Sequence, residues 1–252
     1  MESMKSEEIK IVTRPDERDD YNALLKLFQD NGIPVGERLD YLGLFARRQS
    51  LSRLIFMYEI YKKIVDVHGV IMEFGVRWGQ DLVWYQNFRG MLEPFNHNRK
   101  IIGFDTFAGF PNVSKEDNLQ IHKKGEMAVI DKYASYLEKI MAVQEKFSPI
   151  SHIKRFELVQ GDASITIHQY LERHPETIVA LAYFDMDLYK PTKNCLAAIK
   201  DRLTKGSILC FDEINHQDWP GETLALQEVL GIRQVKIQRL PFMPTASYIV
   251  IE

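Results

Sequence analysis

Ile178-Val179-Ala180-Leu181-Ala182-Tyr183-Phe184-Asp185 decides the fold. Up to its terminal aspartate the run is apolar on both faces. Strands of that kind are buried on both sides, as in parallel sheets covered by helices. Four further runs share the form: Val70-Ile71-Met72-Glu73-Phe74, Ile101-Ile102-Gly103-Phe104-Asp105, Phe156-Glu157-Leu158-Val159 and Ser207-Ile208-Leu209-Cys210-Phe211-Asp212. Helical stretches separate them, so right-handed βαβ crossovers build a doubly wound α/β sheet. Three of these runs end in an acid, Asp105, Asp185 and Asp212. Open α/β sheets bind ligands at the carboxyl ends of their strands, so the three acids converge on one crevice.

Outward from this core the pattern changes. Val235-Lys236-Ile237-Gln238-Arg239-Leu240 and Ala246-Ser247-Tyr248-Ile249-Val250-Ile251 are joined only by Pro241-Phe242-Met243-Pro244-Thr245. That link is too short for a helical crossover and predicts an antiparallel C-terminal hairpin. Residues 1 to about 20 are polar and read as a loose arm. Residues 21 to about 66 read as helical, with Asn31-Gly32 and Pro34 stopping a first helix. A second helix after Ser50 repeats Leu51, Leu54, Ile55, Tyr58, Tyr61, Ile64 and Val65 on one apolar face. The chain thus reads as a helical N-terminal extension or lid, 1–66, and a main domain, 67–252. An insertion at about 112–155 breaks the alternation and includes a helix near Tyr133 to Phe147.

Composition narrows the class. The 252 residues are 45% hydrophobic and 27% charged, as in globular proteins. A net charge of −3 offers no basic field for nucleic acid. No apolar run reaches the roughly 18 residues of a membrane helix, and the N-terminus lacks a signal-peptide core. The expectation is a cytoplasmic protein with no nucleic-acid or membrane partner. Cys195 and Cys210 read as small buried hydrophobes, and Trp78, Trp84 and Tyr85 as core. His122-Lys123-Lys124 reads as a solvated charge run.

The first strand leads into Glu73-Phe74-Gly75-Val76-Arg77-Trp78-Gly79, an E-x-G-x-x-x-G turn. Glycines there let backbone approach a ligand, and the following helix offers free N–H groups. The dinucleotide pattern G-x-G-x-x-G is absent. Asp105, followed by Thr106, suits a ribose diol. Helix capping is the plain alternative for Asp105, and also for Asp162, which otherwise suits a nucleobase amino group.

Asp185-Met186-Asp187 and Asp212-Glu213 cluster at the ends of two strands. Buried carboxylates need a partner, a proton or a metal, and oxygen-only donors suit a hard cation. Such an ion can hold a hydroxyl pair and ease its deprotonation. Asp185 is also a candidate general base, with His216 as a second base or substrate contact. Capping and solvated loop charge are the alternative.

These segments resemble the macrocin O-methyltransferase (TylF-type) family. The resemblance is carried by Val70–Gly79, Gly103–Pro111, Ala182–Thr192 and Phe211–Glu213. A parallel sheet ending in an antiparallel hairpin is also the outline of class I, Rossmann-like methyltransferases. The resemblance implies transfer of a methyl group from S-adenosylmethionine to a hydroxyl of a (deoxy)sugar in natural-product or polysaccharide biosynthesis. It places Glu73, Gly75, Gly79, Asp105, Thr106, Asp162 and Asp185 at the cofactor. It places Asp185, Asp212 and Glu213 at Mg²⁺ or another divalent ion, with Asp185 as base. Many relatives have Asp-Asp where this chain has Asp212-Glu213. A homo-oligomer and a sugar-containing substrate follow from the same resemblance. A catechol or phenolic acceptor, a nicotinamide-dependent oxidoreductase and a non-enzymatic binding module are the rival readings.

Overall fold

The structure is a computed structural model that describes residues 16–252. The chain divides into two compact units, Met1–Leu51 and Ser52–Glu252. Most of the expected loose arm lies in residues 1–15, outside the described residues. Its remainder is helical, because α1 (Glu17–Gln29) begins earlier than expected. Glu17, Asp19 and Asp20 fill its first turn, where the helix dipole favours acids. The helix stops before Asn31-Gly32, and short 3-10 turns follow at Val35–Glu37 and Leu42–Phe45. The rings of Phe28 and Phe45 meet edge to face, with centroids 5.1 Å apart.

α2 (Arg48–Ile64) enters the larger unit at Ser52, ahead of the boundary near residue 66 expected from sequence. Its buried stripe is Phe56, Met57, Ile60, Tyr61 and Ile64. This corrects the expected face, since Leu51 and Ile55 are exposed. The helix is apolar over more of its circumference than one face requires, so packing against the sheet makes the choice.

The larger unit continues as β1 (Val70–Phe74), α3 (Gln80–Leu92), β2 (Ile101–Asp105), α4 (Tyr133–Glu145), β3 (Phe156–Gln160) and α5 (Ala163–Arg173). It ends with β4 (Val179–Phe184), α6 (Tyr189–Ile199), β5 (Leu203–Phe211), α7 (Gly221–Val229) and β6 (Ser247–Val250). The strand order is β3-β2-β1-β4-β5-β6. The first five strands in sequence pair in parallel, and β6 is antiparallel to β5. α2, α3 and α4 bury their apolar sides on one face, and α5, α6 and α7 on the other. The expected outer hairpin strand, Val235–Leu240, is not a strand. It makes a single antiparallel bridge, Gln238 to Tyr248, before Pro241, which has no N–H to extend a ladder. No helix among the described residues is long and apolar enough to cross a membrane.

A buried ion network fixes the insertion helix. Glu145 on α4 accepts from Gln86 and Arg89 of α3 at 3.0 and 2.5 Å, and from Arg155 Nε and Nη2 at 3.0 and 2.8 Å. All four side chains are buried, so Glu145 bridges Arg89 and Arg155 where water cannot screen their charges.

The carboxyl end of the sheet is levelled by aromatic rings. Phe104, Phe74, Phe184 and Phe211 stand in cross-strand register on β2, β1, β4 and β5. They stack with centroids 4.9, 5.0 and 5.0 Å apart. Offset stacking adds to the area each ring buries. Phe184→Ala should cost about 3–5 kcal/mol, the range for emptying a buried phenylalanine site. Urea unfolding reads this as a lower midpoint with an unchanged slope.

Candidate functional site

Each phenylalanine of this ladder is the last or penultimate residue of its strand. Gly75, Asp105, Asp185 and Asp212 therefore leave the sheet at one level. The Asp185 N–H donates to the Phe74 carbonyl at 2.8 Å, and the Asp212 N–H to the Phe184 carbonyl at 3.1 Å. Strain gathers in the loops beyond. Arg77, Phe107, Asp187 and Asn215, one after each of these strands, hold positive φ. Non-glycine residues in that region cost energy and concentrate at functional sites.

The glycine turn after β1 is set by close contacts. Gly75 has φ +93°, and a Cβ there would lie 1.9 Å from the Asp185 carbonyl oxygen. Gly79 begins α3 at φ +75°, and a Cβ there would strike Leu137 of α4 at 2.4 Å. Asp105 braces the turn. Its Oδ2 accepts the Val76 and Arg77 N–H groups at 2.7 Å each, and Oδ1 accepts that of Phe107 at 2.6 Å. Thr106 Oγ1 donates to the Gly109 carbonyl at 2.7 Å and closes its own turn. Asp162 caps α5 by accepting the Ser164 N–H at 2.9 Å. The neighbouring Gly161 N–H reaches the Asp105 carbonyl at 2.8 Å, so both loops share one rim. The capping alternative is realised for Asp162, whereas Asp105 precedes no helix and instead binds the N–H groups of two turns; either carboxylate retains further lone pairs for a ligand.

The acids are brought together around a residue the sequence reading overlooked. Arg53 of α2 donates from Nη2 to Asp185 Oδ2 at 2.5 Å and from Nη1 to Asp212 Oδ1 at 2.9 Å. It also donates to Asp81 Oδ2 from Nε and Nη2, at 2.9 and 2.6 Å. The Tyr183 hydroxyl donates to the same Asp212 oxygen at 2.5 Å, and the guanidinium lies 5.4 Å from the Tyr183 ring centroid. Burial works against the charge on Arg53, but Tyr183, Asp212, Asp185 and Asp81 outweigh it and hold the guanidinium protonated. A signal was present in the sequence, since Arg53 lies one turn before Met57 and in line with Ile60 and Ile64. An arginine on a buried stripe calls for acidic partners.

One guanidinium does not neutralise the whole crevice. Asp187 and Glu222 of α7 are pushed well above the usual carboxylate range, chiefly by burial and then by neighbouring acids. Burial and Asp81 do the same to Glu73, whose Oε2 has no partner. Glu213 donates its N–H to Glu222 Oε2 at 3.1 Å, while its own Oε2 has no hydrogen-bond partner. Oxygen donors of this kind suit a hard cation. As arranged, however, they do not fit one. Among the described residues no group of three acid, histidine or cysteine side chains is disposed to hold a metal ion. At Asp185 and Asp212 the guanidinium stands in the cation's place.

His216 is held within its loop, and His122 differs from expectation. His216 Nδ1 accepts the Asp218 N–H at 3.2 Å in the loop after β5. His122 is buried, not part of a solvated run. It stacks on Trp219 at 3.7 Å and its Nε2 lies 3.0 Å from the Asp218 carbonyl. Asp117 accepts the Tyr189 N–H at 2.7 Å, so the segment 110–127 is docked on the loops after β4 and β5. Trp78, expected in the core, is exposed at the glycine turn, and Tyr133 donates to its carbonyl at 2.9 Å.

The acids predict how stability responds to pH. Burial, then repulsion from Asp212, lifts Asp185 from 3.8 to about 7 against the pull of Arg53. Burial, then Asp212 and Asp185, lifts Glu213 from 4.5 to about 8. The folded chain thus keeps protons that the unfolded chain has released, and stability falls as pH rises from about 4 to about 8. Thermal unfolding should show a lower Tm at pH 8.5 than at pH 5, with a shallower fall in Glu213→Gln. An equal fall in that variant would exclude Glu213 as a source of the effect.

No family model and no curated protein matches the chain. Solved structures do. The crystal structure of CalS11, the calicheamicin methyltransferase, is 40% identical over 99% of each chain, with a TM-score of 0.92. The apo structure of CalS11, a TDP-rhamnose 3'-O-methyltransferase of calicheamicin biosynthesis, is 38% identical over 95% of this chain and 96% of that one, with a TM-score of 0.84. The O-methyltransferase NovP shares the fold at 15% identity over 79% of each chain, with a TM-score of 0.63. The parallel sheet with its antiparallel sixth strand and the end-to-end identity agree: the chain belongs to the CalS11 family of class I O-methyltransferases.

Proposed function

We propose that the protein transfers the methyl group of S-adenosylmethionine to a hydroxyl of a deoxysugar in natural-product biosynthesis. The observation that carries this reading is the contact between two parts of the sheet edge. The glycine turn braced by Asp105 passes directly against Asp185, so a cofactor cradle and a carboxylate base adjoin. The acceptor class is suggested by CalS11, whose substrate is TDP-rhamnose.

The cofactor supplies an electrophilic methyl on a sulfonium. This chain's residues supply place and proton balance. The free N–H groups at the start of α3 face an anionic group, and the buried Glu73 Oε2 offers an acceptor to a cationic one. Asp105 and Thr106 take the ribose side, and Asp162 the base side. Asp185 accepts the hydroxyl proton as the S–CH3 bond breaks and the O–CH3 bond forms. Its value of about 7 suits a base at neutral pH. His216, with Nδ1 engaged by Asp218, keeps Nε2 for a substrate contact. Holding acceptor and methyl in line is worth roughly 7–11 kcal/mol at best. A divalent ion of the kind the resemblance implies would draw on Asp185, Asp212 and Glu213. Arg53 holds two of these.

A cytoplasmic site of action and a homo-oligomer belong to the same proposal. Exposed Leu27, Val35, Leu39 and Leu44 in the Met1–Leu51 unit support the second.

Isothermal titration should show micromolar binding of S-adenosylmethionine and none of NAD(H), with and without Mg²⁺. The reverse result would overturn the methyltransferase reading. With TDP-rhamnose or a related nucleotide deoxysugar as acceptor, Asp185→Asn should lower kcat about 10²–10⁴-fold and leave cofactor affinity nearly unchanged. Equal turnover would remove Asp185 as base. Turnover of a catechol in place of the sugars would reassign the acceptor.

A further inference from the structure

The acidic crevice already contains a cation, and it belongs to the chain. The Arg53 guanidinium takes one oxygen from each of three acids that arrive on separate segments: Asp81 on α3, Asp185 after β4 and Asp212 after β5. The contacts run from 2.5 to 2.9 Å, the range of charge-assisted hydrogen bonds. A planar fork with donors in three directions suits this task, whereas an ammonium is a single point charge. The crevice still holds acid oxygens that no side chain satisfies. Asp81 is buried with its Oδ1 unpartnered, and Glu222 is fully buried with its Oε1 unpartnered.

We propose that Arg53 is the resident counter-ion of this crevice, and that a divalent cation can bind Asp185 and Asp212 only by displacing its guanidinium. A metal on either carboxylate would lie beside the guanidinium that already occupies one of its oxygens. Asp185 Oδ2 and Asp212 Oδ1 point at guanidinium nitrogens, and a metal on them would face a like charge within a few ångströms. Arg53 reaches the site on a flexible stem from α2, so it can withdraw without rearranging the sheet. Occupation by arginine keeps the acids together when no metal is present. It also sets a threshold for divalent affinity that the carboxylates alone would not impose.

The test is Mn²⁺ binding, read by the loss of the free-ion electron paramagnetic resonance signal in protein without cofactor or acceptor. Arg53→Met should bind Mn²⁺ at least tenfold more tightly than the natural chain. Arg53→Lys keeps a charge but cannot span the three acids, and should bind several-fold more tightly. It also serves if the methionine variant fails to fold, as circular dichroism would show. Arg77→Met is the control. It removes a charge near Asp187 without touching Asp185 or Asp212, and should shift affinity by less than threefold. Unchanged or weaker Mn²⁺ binding in the folded Arg53 variants overturns the proposal. So does an equal tightening in Arg77→Met, which would reduce the effect to net charge. S-adenosylmethionine titration of the same proteins reports separately on the methyltransferase reading. Binding of cofactor with no Mn²⁺ response to Arg53 leaves that reading in place and removes this one.

Discussion

Everything functional in this fold depends on four strands ending at the same height. The stacked rings of Phe104, Phe74, Phe184 and Phe211 hold that alignment from inside the sheet. Each ring is fixed by burial and by its neighbour's face, so a one-residue slip in any strand would turn a phenylalanine out of the stack. The residues that follow inherit the alignment. Three of them are aspartates and one is the glycine that lets the first turn pass against Asp185. A packing interaction of apolar rings thereby sets the geometry of a polar site.

Charge is the second constraint. Gathering Asp185, Asp212, Asp187 and Glu213 at one edge creates repulsion that burial amplifies. The protein answers in two ways: by holding protons on some of these carboxyls, and by placing Arg53 among Asp81, Asp185 and Asp212. Replacing a partner with nothing would leave a buried charge uncompensated, which is the costly outcome for any ion pair. The site therefore concentrates negative charge, and an Asp185 carboxyl raised to about 7 is one product of it.

The insertion is tied down at both ends by different chemistry. Glu145 locks its helix to Arg89 and Arg155, away from the crevice. Asp117 and His122 dock its earlier part on the loops after β4 and β5. Gly79 holds φ +75° at the start of α3, and the Leu137 side chain of this insertion packs where a Cβ there would point. The segment that interrupts the α/β alternation is thus built into the rim of the site.

Periodicity and apolar runs made the sheet and its parallel order legible, because a strand buried on both faces admits few other sequences. The aspartates at strand ends were legible for the same reason: a charge that closes an apolar run marks where the strand meets solvent. Local patterns also revealed the turn at Glu73–Gly79. Other features rest on contacts between residues far apart in sequence, and no local pattern encodes those. Arg53 precedes Asp185 and Asp212 by 132 and 159 residues. Its choice of partners follows from which face of α2 packs on the sheet, and several apolar residues competed for that face. His122 read as one of three polar residues until its ring met Trp219. Val235–Leu240 had strand composition but makes only one bridge before Pro241, which has no N–H to extend a ladder. Sequence by itself determined the α/β class and the acids at its edge. Tertiary structure decided which cation meets those acids, because long-range electrostatics is settled only once packing has fixed the distances.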